Sequence, residues 1–501
     1  MGSPPNPQMF GAAVSSRSLA VTAQRRINAY YDYFKAEEQD RAAVSIWCRP
    51  GLVARSYFGA SPCRGQRVVP PYRYAVYGAT VYKIDAQENG TVLGALLTST
   101  GPVYMEDNGT QVMIVDPSNG TGFCYQIFGA SAATGQLQGT FAQITTAAFL
   151  GAIHITYINN RFVVVSLGSN PLTNQQFQQS NLGDCTGWSA LAFDLADVDS
   201  DPLLAAKGYK NILYLLGSLS IEMWSNVGAG PPGVLWNRIP ASTMQSGIAA
   251  TRSIAEMGDA GFALLAASRR GQAYPALLTG QGLSDIGTAD LVDAINGYVS
   301  VADAVGASVQ VAKHRFYILT FPAAGRTWVW DDQTGLWSEW MSYTPAAGNG
   351  QFRGLLAEQF NGATLLTDYG DGTVYTLSTA AYEDSAHGAV GGSTVPLVWQ
   401  LVSGGMFSGA RQLVLDAVQF DMEEGCGLSG GQGVNPVAML EISRDKGRTW
   451  GQPVTAAIGK QGHYADRVIF RRLGRGRDLR ARLTISDPIR RVITGEVVVL
   501  S

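Results

Sequence analysis

The chain has 501 residues, 46% of them hydrophobic, so a sizeable core can form, and its formal net charge of −3 excludes a whole-chain basic surface for nucleic acid. Only 15% of the residues are charged, below the roughly 25% usual in soluble domains, whereas glycine contributes 59 residues. Aromatic and aliphatic residues occur throughout, which excludes disorder and favours many tight turns, with surface buried against partners.

The first unit, residues 1–42, is interpreted as an extended N-terminal arm. Residues 1–16 are polar and proline-rich and lack the apolar stretch of a secretory signal. No run of ~18 apolar residues predicts a membrane-spanning helix anywhere in the chain. Residues 36–43 are a candidate helix, and a short apolar strand at 43–47 begins the next unit.

From residue 72 to residue 377, short β-rich runs alternate with Gly, Asn and Asp turns. The clearest hairpins cover residues 74–84, 103–115, 155–165, 212–224, 261–275, 315–331 and 363–377. Asn108-Gly109 is typical of a two-residue hairpin turn, because both positions tolerate positive φ. Hairpins spaced roughly 35–55 residues apart are typical of propeller blades with four strands each.

The predicted fold class is therefore all-β, with an irregular β-propeller of about seven blades over residues 43–379. A barrel or stacked sandwiches stay open as alternatives. Besides the candidate helix in the arm, only residues 291–295 are expected to be helical.

Residues 380–395 are rich in Gly, Ala and Ser and are predicted to be a linker. Residues 396–501 then form a second unit, predicted to be a C-terminal β-sandwich-like domain. Its strand candidates cover residues 397–402, 412–422, 437–443, 465–472, 479–486 and 492–500.

The sequence offers no catalytic constellation, and we assign no catalytic, cofactor-binding or metal-ligating residue. The four histidines, His154, His314, His387 and His463, are far apart and lack ligand partners at metal-binding spacing, so each is expected to be structural. The five cysteines, Cys48, Cys63, Cys124, Cys185 and Cys426, form no CxxC pair and are expected to be reduced thiols of a protein synthesised in a cytoplasm.

One short motif predicts a local structure. Ser443, Asp445, Gly447 and Trp450 follow the S-x-D-x-G-x-T-W pattern of an Asp-box hairpin, which occurs in sialidase-type propellers and other β proteins. The aspartate is expected to accept backbone N–H groups within the turn, the glycine to supply a positive φ, and the tryptophan to pack beneath it. Because this single copy lies outside the propeller, it gives little support to a carbohydrate-active enzyme.

The C-terminal 61 residues are basic, with 13 Arg and Lys against 6 Asp and Glu. In residues 479–485, apolar residues alternate with Arg480, Arg482 and Thr484, which predicts a strand with both arginines on one outer face. A solvated or salt-bridged face is one interpretation, and docking to an acidic protein subunit or to DNA phosphates is the other. We favour protein docking, and the interface candidates are Arg471, Arg472, Arg475, Arg480 and Arg482.

Both ends of the chain resemble a known family. Residues 26–30, 49–52 and 74–84, followed by 442–450, 470–475 and 482–488, resemble in order the phage stabilisation family of podovirus tail nozzle or tail hub proteins. These motifs cover about a quarter of the sequence. The stretch from 180 to 310 matches nothing in the pattern.

The resemblance implies a structural protein of the virion rather than an enzyme. It implies a hexameric ring around the DNA channel below the portal and adaptor proteins, which helps to retain packaged DNA. Tail fibres or spikes would attach to its flank and a plug or needle would lie beneath. A sialidase-like enzyme and a cellular propeller scaffold stay open as alternatives.

Overall fold

The computed structural model describes residues 9–10, 24–33, 44–127, 139–168, 174–228, 235–280, 282–388, 390–408 and 411–500. The candidate helix at 36–43 lies outside these residues. Within them, no helix has the length and apolarity needed to cross a membrane.

The first four strands come before blade 1 along the chain. They are β1 (Arg25–Ile27), β2 (Ala29–Tyr33), β3 (Val44–Cys48) and β4 (Gly51–Tyr57).

In the described part of the chain, seven antiparallel sheets form the blades of a propeller, as the sequence predicts. Blade 1 contains β5 (Cys63–Val69), β6 (Tyr72–Tyr77), β7 (Thr80–Ile84) and β8 (Gly90–Ala95). Blade 2 contains β9 (Tyr104–Asp107), β10 (Gln111–Asp116), β11 (Thr121–Gln126) and β12 (Thr140–Gln143). Blade 3 contains β13 (Ala152–Ile158), β14 (Arg161–Ser166), β15 (Gln176–Asn181) and β16 (Asp184–Leu195). Blade 4 contains β17 (Leu203–Tyr209), β18 (Ile212–Gly217), β19 (Ile221–Asn226) and β20 (Trp236–Arg238).

The remaining blades are less regular. Blade 5 contains β21 (Ser246–Ile248), β22 (Ala255–Glu256), β23 (Phe262–Ser268), β24 (Ala273–Thr279) and β25 (Gly282–Asp285), with 3₁₀ turns at Thr251–Ser253 and Gly258–Ala260. Blade 6 contains β26 (Val305–Val311), β27 (His314–Phe321), β28 (Arg326–Asp331) and β29 (Leu336–Glu339). After the hairpin of β30 (Met341–Thr344) and β31 (Gly348–Gln351), blade 7 contains β32 (Gly354–Phe360), β33 (Ala363–Asp368) and β34 (Thr373–Ser378), and its fourth strand is β4.

Strand β4 closes the propeller by joining its last blade. It pairs antiparallel with β34 in a register that runs from Gly51 opposite Ser378 to Tyr57 opposite Thr373. The ring is also closed on the inside, where β5 contacts both β9 and β32. A segment from before the first blade therefore completes the seventh, which removes a free sheet edge.

Each of the seven hairpins predicted from the sequence lies in a different blade. Asn159 and Asn160, between β13 and β14, have φ values of 50° and 59°, the left-handed geometry of a tight hairpin. Gly109 has a φ of 83° between β9 and β10, as the Asn-Gly pair predicts. Adjacent blades pack through apolar side chains, such as Val76 of blade 1 and Ile114 of blade 2 in one buried cluster.

The single α-helix of the described residues, α1 (Ala289–Asn296), confirms the helix predicted at 291–295. It begins at Thr288, whose side chain accepts a hydrogen bond from the backbone N–H of Leu291. Leu291 and Ile295 are buried, so this helix covers part of the core shared by blades 5 and 6.

The C-terminal domain is a sandwich of two sheets, as predicted. A short hairpin of β35 (Glu383–Ser385) and β36 (Thr394–Pro396) precedes it. Its own strands are β37 (Trp399–Val402), β38 (Met406–Phe407), β39 (Leu413–Met422), β40 (Val437–Ser443), β41 (Val454–Ala457), β42 (Val468–Gly476), β43 (Asp478–Ile485) and β44 (Val492–Leu500). The predicted linker at 380–395 thus contains paired strands rather than only irregular chain.

Strands β2 and β3 lie in the sandwich, whereas the sequence predicts residues 1–42 as an arm and residues 43–379 as the propeller. Strands β2 and β3 extend one sheet in the order β2-β3-β44-β39-β42. Strand β1 lies between the domains: it pairs in parallel with β29 of blade 6 and antiparallel with β37 of the sandwich. One continuous sheet therefore crosses from the propeller into the sandwich. The sequence missed this because β-pairing over more than 300 residues leaves no local signal.

The cysteines also depart from the expectation of five reduced thiols. Cys124 of β11 and Cys185 of β16 are joined in a disulfide, with their Cα atoms 6.1 Å apart. The bond links blades 2 and 3. Cys48, Cys63 and Cys426 are free thiols.

Candidate assembly surfaces and the propeller cavity

The Asp-box turn forms as its sequence predicts. The carboxylate of Asp445 accepts the backbone N–H groups of Arg448 and Thr449 at 3.0 and 2.8 Å, and Gly447 has a φ of 87°. Hydrogen bonds led by the Thr449 hydroxyl hold the pKa of Asp445 well below its ordinary value. The ring of Trp450 packs against the guanidinium of Arg482, whose Cζ lies 4.4 Å from the ring centroid.

Strand β43 has the predicted alternation, but its arginine face is covered. Arg482 makes a bidentate ion pair with Glu441, with distances of 2.6 and 2.7 Å. Arg480 is only 1% exposed, lies 3.9 Å from Asp478, and its Nε and Nη1 lack hydrogen-bond partners in the described chain. Arg480 is therefore a buried residue rather than part of an exposed docking face.

Strand β42 presents the other predicted arginines to solvent. It is the last strand of its sheet, and a register shift opposite Leu415 and Ala417 accompanies a left-handed Arg472, whose φ is 58°. This bulge explains why consecutive residues, Arg471 and Arg472, both point outward. We call the exposed arginines of β42 and its flanks the basic edge: Arg467, Arg471, Arg472, Arg475 and Arg477.

A second arginine-rich region lies between the domains, and sequence reasoning did not identify it. Arg49 and Asp384 form an ion pair in which both side chains are fully buried, at 2.5 and 3.0 Å. Arg49 also donates to Asn28 and to the carbonyl of Met341. We call this region the junction: Arg25, Arg26, Asn28, Arg49 and Asp384.

Strand β1 adds two more contacts to the junction. Arg25 pairs with Glu339 of blade 6 at 2.7 Å, and the buried Arg26 donates to the carbonyl of Trp337 at 2.7 Å. The motifs at 26–30 and 49–52, which resemble the family pattern, thus supply residues that connect the two domains.

The inner strands of the blades surround a cavity of about 500 Å³ at the propeller centre. Its walls are charged, and they include Arg64, Arg67, Glu106, Lys207, Arg252 and Glu358. A volume of this size suits a small molecule.

The cavity charges are partly paired. Glu106 contacts Arg67 at 3.2 Å and Lys207 at 3.0 Å. Burial opposes the ionisation of Glu106, but these two cations outweigh burial and hold its pKa below the ordinary value. Burial and then the Lys207 charge lower the pKa of His154 to about 3, so its imidazole is neutral and packs against the ring of Tyr104.

Glu358 is the exception on the cavity wall. Burial raises its pKa to about 7, although Arg67 acts in the opposite direction. The carboxyl of Glu358 therefore titrates near neutral pH, whereas Glu106 stays charged.

Comparisons with solved structures find low-scoring similarities. Among solved structures, the WD40 domain of Neurospora crassa Pan2 is similar at 11% identity, covering 69% of this chain and 97% of that chain with a TM-score of 0.40. The extracellular domain of BT4673 from B. thetaiotaomicron is similar at 7% identity, covering 83% of this chain and 48% of that chain with a TM-score of 0.41. Similarity at these TM-scores says nothing about function. A search of curated proteins found no match to the chain.

Two family models match the chain in the order of its domains. The bacteriophage P22 Gp10 β-propeller model matches residues 63–382, and the bacteriophage P22 Gp10 β-sandwich model matches residues 398–499. Together they cover most of the seven-bladed ring and the sandwich, except for the N-terminal strands β1 to β4 that the structure adds to these domains. The chain belongs to the bacteriophage P22 Gp10 family, the phage tail nozzle and stabilisation proteins.

Proposed function

We propose that copies of this chain form a hexameric ring in the tail of a short-tailed phage, where they extend the DNA channel below the portal and adaptor and help to retain packaged DNA. The observation that carries the proposal is the match of both domains to the P22 Gp10 family. This membership supports a structural role in the virion and gives no support to an enzyme.

The size of the propeller cavity supports a ring of several copies. A cavity of about 500 Å³ within one chain is too small for duplex DNA. A DNA channel built from this protein must therefore pass between copies rather than through one propeller. Cyclic symmetry is the usual way to enclose such a channel with identical subunits.

The distribution of charge supports a channel that releases DNA. The net charge of the whole chain is −3, and the C-terminal 61 residues carry 13 basic and 6 acidic residues, so the remaining residues sum to −10, since −3 − 7 = −10. An acidic bulk avoids strong attraction to phosphates, which would retard DNA passage. The compact basic edge is instead suited to an acidic protein surface.

We assign protein docking to the basic edge, with Arg471, Arg472 and Arg475 as its central residues. All three are exposed on β42, which is the last strand of its sheet in the described chain, and an edge strand can pair with another chain. The partner of this surface is a neighbouring copy or the adaptor and portal complex. Fibres or spikes and the tail plug or needle would use other faces of the ring.

The test is quantitative mass spectrometry of purified, DNA-filled particles, with the portal protein as the internal standard. The proposal predicts about six copies of this chain per portal ring. Absence of the chain from washed particles would contradict the proposal and leave a cellular scaffold as the alternative.

A further inference from the structure

A histidine on the hairpin of β35 and β36 lies against the last turn of the propeller. His387 Nδ1 is 3.2 Å from Oδ2 of Asp368, and its Nε2 is 3.4 Å from Oδ2 of Asp371. Asp368 ends β33 of blade 7, and Asp371 lies in the tight connection that leads to β34. The contact therefore joins the segment between the domains to the blade that closes the ring.

The two carboxylates are fixed by the blade itself. Asp368 is fully buried and accepts hydrogen bonds from the Gly370 N–H and the Tyr375 hydroxyl, each at 2.7 Å. Asp371 is 7% exposed, and its Oδ1 accepts the Thr373 N–H at 2.8 Å. The site is thus organised by backbone and side-chain contacts that do not involve His387.

The remaining oxygen of Asp371 is poorly satisfied. Its distance of 3.4 Å from Nε2 exceeds the usual 2.7–3.2 Å of an N–H···O hydrogen bond. In the described chain, no Arg or Lys forms an ion pair with Asp368 or Asp371. The buried Arg353 donates to the Tyr375 hydroxyl at 3.5 Å and so lies near Asp368, and a bound cation would add positive charge to the two adjacent buried carboxylates.

We propose that Asp368, Asp371 and His387 bind one divalent transition-metal ion of the zinc class. Their ligand atoms lie within 4.8 Å of one another. A tetrahedral ion with bonds of roughly 2.0–2.2 Å needs ligand atoms about 3.3–3.6 Å apart, so the two carboxylates and one ring nitrogen of His387 would have to approach one another by up to about 1.5 Å. The half-exposed His387 leaves the fourth position open to water.

The donor set selects the class of metal. Imidazole nitrogen combined with carboxylate oxygen suits Zn²⁺ and its neighbours. Ca²⁺ takes about 6–8 oxygen ligands, which three side chains including an imidazole do not provide.

The ion would act as a structural staple. The same hairpin carries Asp384, which pairs with Arg49 in the junction. Metal binding at His387 would fix the other end of this hairpin to blade 7, so the sandwich and the closing blade would be held together at two points. This inference rests on the fold and is independent of the proposed place in a phage tail.

The experiment uses the full chain, stripped with EDTA and returned to metal-free buffer at pH 7.5. Isothermal titration with ZnCl₂ is expected to give one equivalent of binding, and Co²⁺ is expected to give the visible absorption of a tetrahedral site. Added Zn²⁺ should also raise the unfolding temperature. Millimolar CaCl₂ should not displace the zinc.

Matched variants locate the site. Asp371→Asn and His387→Gln should each weaken Zn²⁺ binding at least tenfold, with circular dichroism confirming that the variants stay folded. His463→Gln, which alters an exposed histidine of the sandwich, should bind as the wild type does.

Equal zinc uptake by the wild type and the Asp371→Asn, His387→Gln double variant would overturn the proposal, and so would displacement by calcium. Imidazole NMR signals of His387 that stay unchanged in saturating Zn²⁺ would overturn it as well, because the imidazole would then not bind the ion.

Discussion

The junction and the basic edge use the same residue type in opposite ways. At the junction, the fully buried Arg49 pairs with Asp384, and its remaining donors reach Asn28 and backbone carbonyls. On the basic edge, Arg471 and Arg475 are exposed, and neither forms an ion pair within the described residues. The difference shows that the arginine count of a segment says little about its role. What matters is whether the fold supplies a partner within the same chain.

Strand β43 lies between these extremes. Arg482 is satisfied by Glu441, whereas Arg480 is buried with two nitrogens unpaired. The comparison therefore predicts a large stability effect at the junction, an assembly effect at the basic edge, and a small effect at Arg480.

The largest effect is expected from Arg49→Met. Removing one partner of a buried ion pair leaves Asp384 uncompensated, which costs about 3–5 kcal/mol in the free energy of unfolding. Urea denaturation of the purified chain measures the change. Arg55→Met, at an exposed arginine of β4, is the control and should change the same free energy by less than about 0.5 kcal/mol. Similar losses in both variants would remove the distinction between buried and exposed arginines.

The basic edge should affect assembly without affecting the fold. The Arg471→Glu, Arg475→Glu double variant is expected to dock at least tenfold more weakly onto particles that lack this chain, because like charges would face an acidic partner. Its free energy of unfolding should stay within about 0.5 kcal/mol of the wild type. The control is the Arg55→Glu, Arg270→Glu double variant, which makes the same charge change at exposed sites of the propeller. Normal docking of the edge variant would count against the interface.

The cavity extends the comparison to a buried acid with an elevated pKa. The folded-state pKa of Glu358 is about 7, against an ordinary value of 4.5, so between these values the folded chain holds a proton that the unfolded chain releases. Stability should fall as the pH rises through this window, and the penalty should be complete above pH 7.

Glu358→Gln removes that penalty. The variant should be more stable than the wild type at pH 8, and this advantage should shrink towards pH 5, as measured by urea denaturation at both pH values. Glu256→Gln, which makes the same change at an exposed acid on the same cavity wall, is the matched control. An advantage that stays constant with pH for Glu358→Gln would show that the residue does not titrate as described.

The smallest effect is expected at Arg480. Its buried guanidinium has lost hydration, and within the described residues its ion-pair partner is Asp478, at 3.9 Å. Replacing such a group with an apolar side chain of similar length is often neutral or stabilising. Arg480→Met should therefore leave the free energy of unfolding unchanged or raise it by about 1 kcal/mol. A decrease in the free energy of unfolding of more than about 2 kcal/mol would show that Arg480 stabilises the fold as the paired arginines of the junction do.

Local sequence patterns predicted most of the fold. Turn pairs such as Asn108-Gly109 and Asn159-Asn160 mark hairpins because their backbone geometry depends on only two residues. The alternation in β43 likewise predicted which residues share a face. It did not predict what covers that face, so Arg480 was placed on an exposed surface when it is buried.

The parts that could not be predicted depend on distant pairing. Strand β1 bridges blade 6 and the sandwich, and β4 completes blade 7, yet both lie more than 300 residues from their partners. The same limit applies to His387, because Asp368 and Asp371 approach it only after the hairpin of β35 and β36 folds back onto blade 7. The spacing of these residues along the chain contains no metal-binding pattern.

The most direct test of the central claim is hydrogen exchange of the backbone amides, measured by mass spectrometry in the free chain and in purified tails. The alternative is that the arginines of this edge strand serve only to prevent unwanted strand pairing. In that case the amides of β42 would exchange at the same rate in the free chain and in tails. The account predicts that residues 468–476 of β42 become protected on assembly, while the junction strand β1 is protected in both states. Unchanged exchange across β42, with new protection confined to other surfaces, would contradict the assignment of the basic edge as the docking surface.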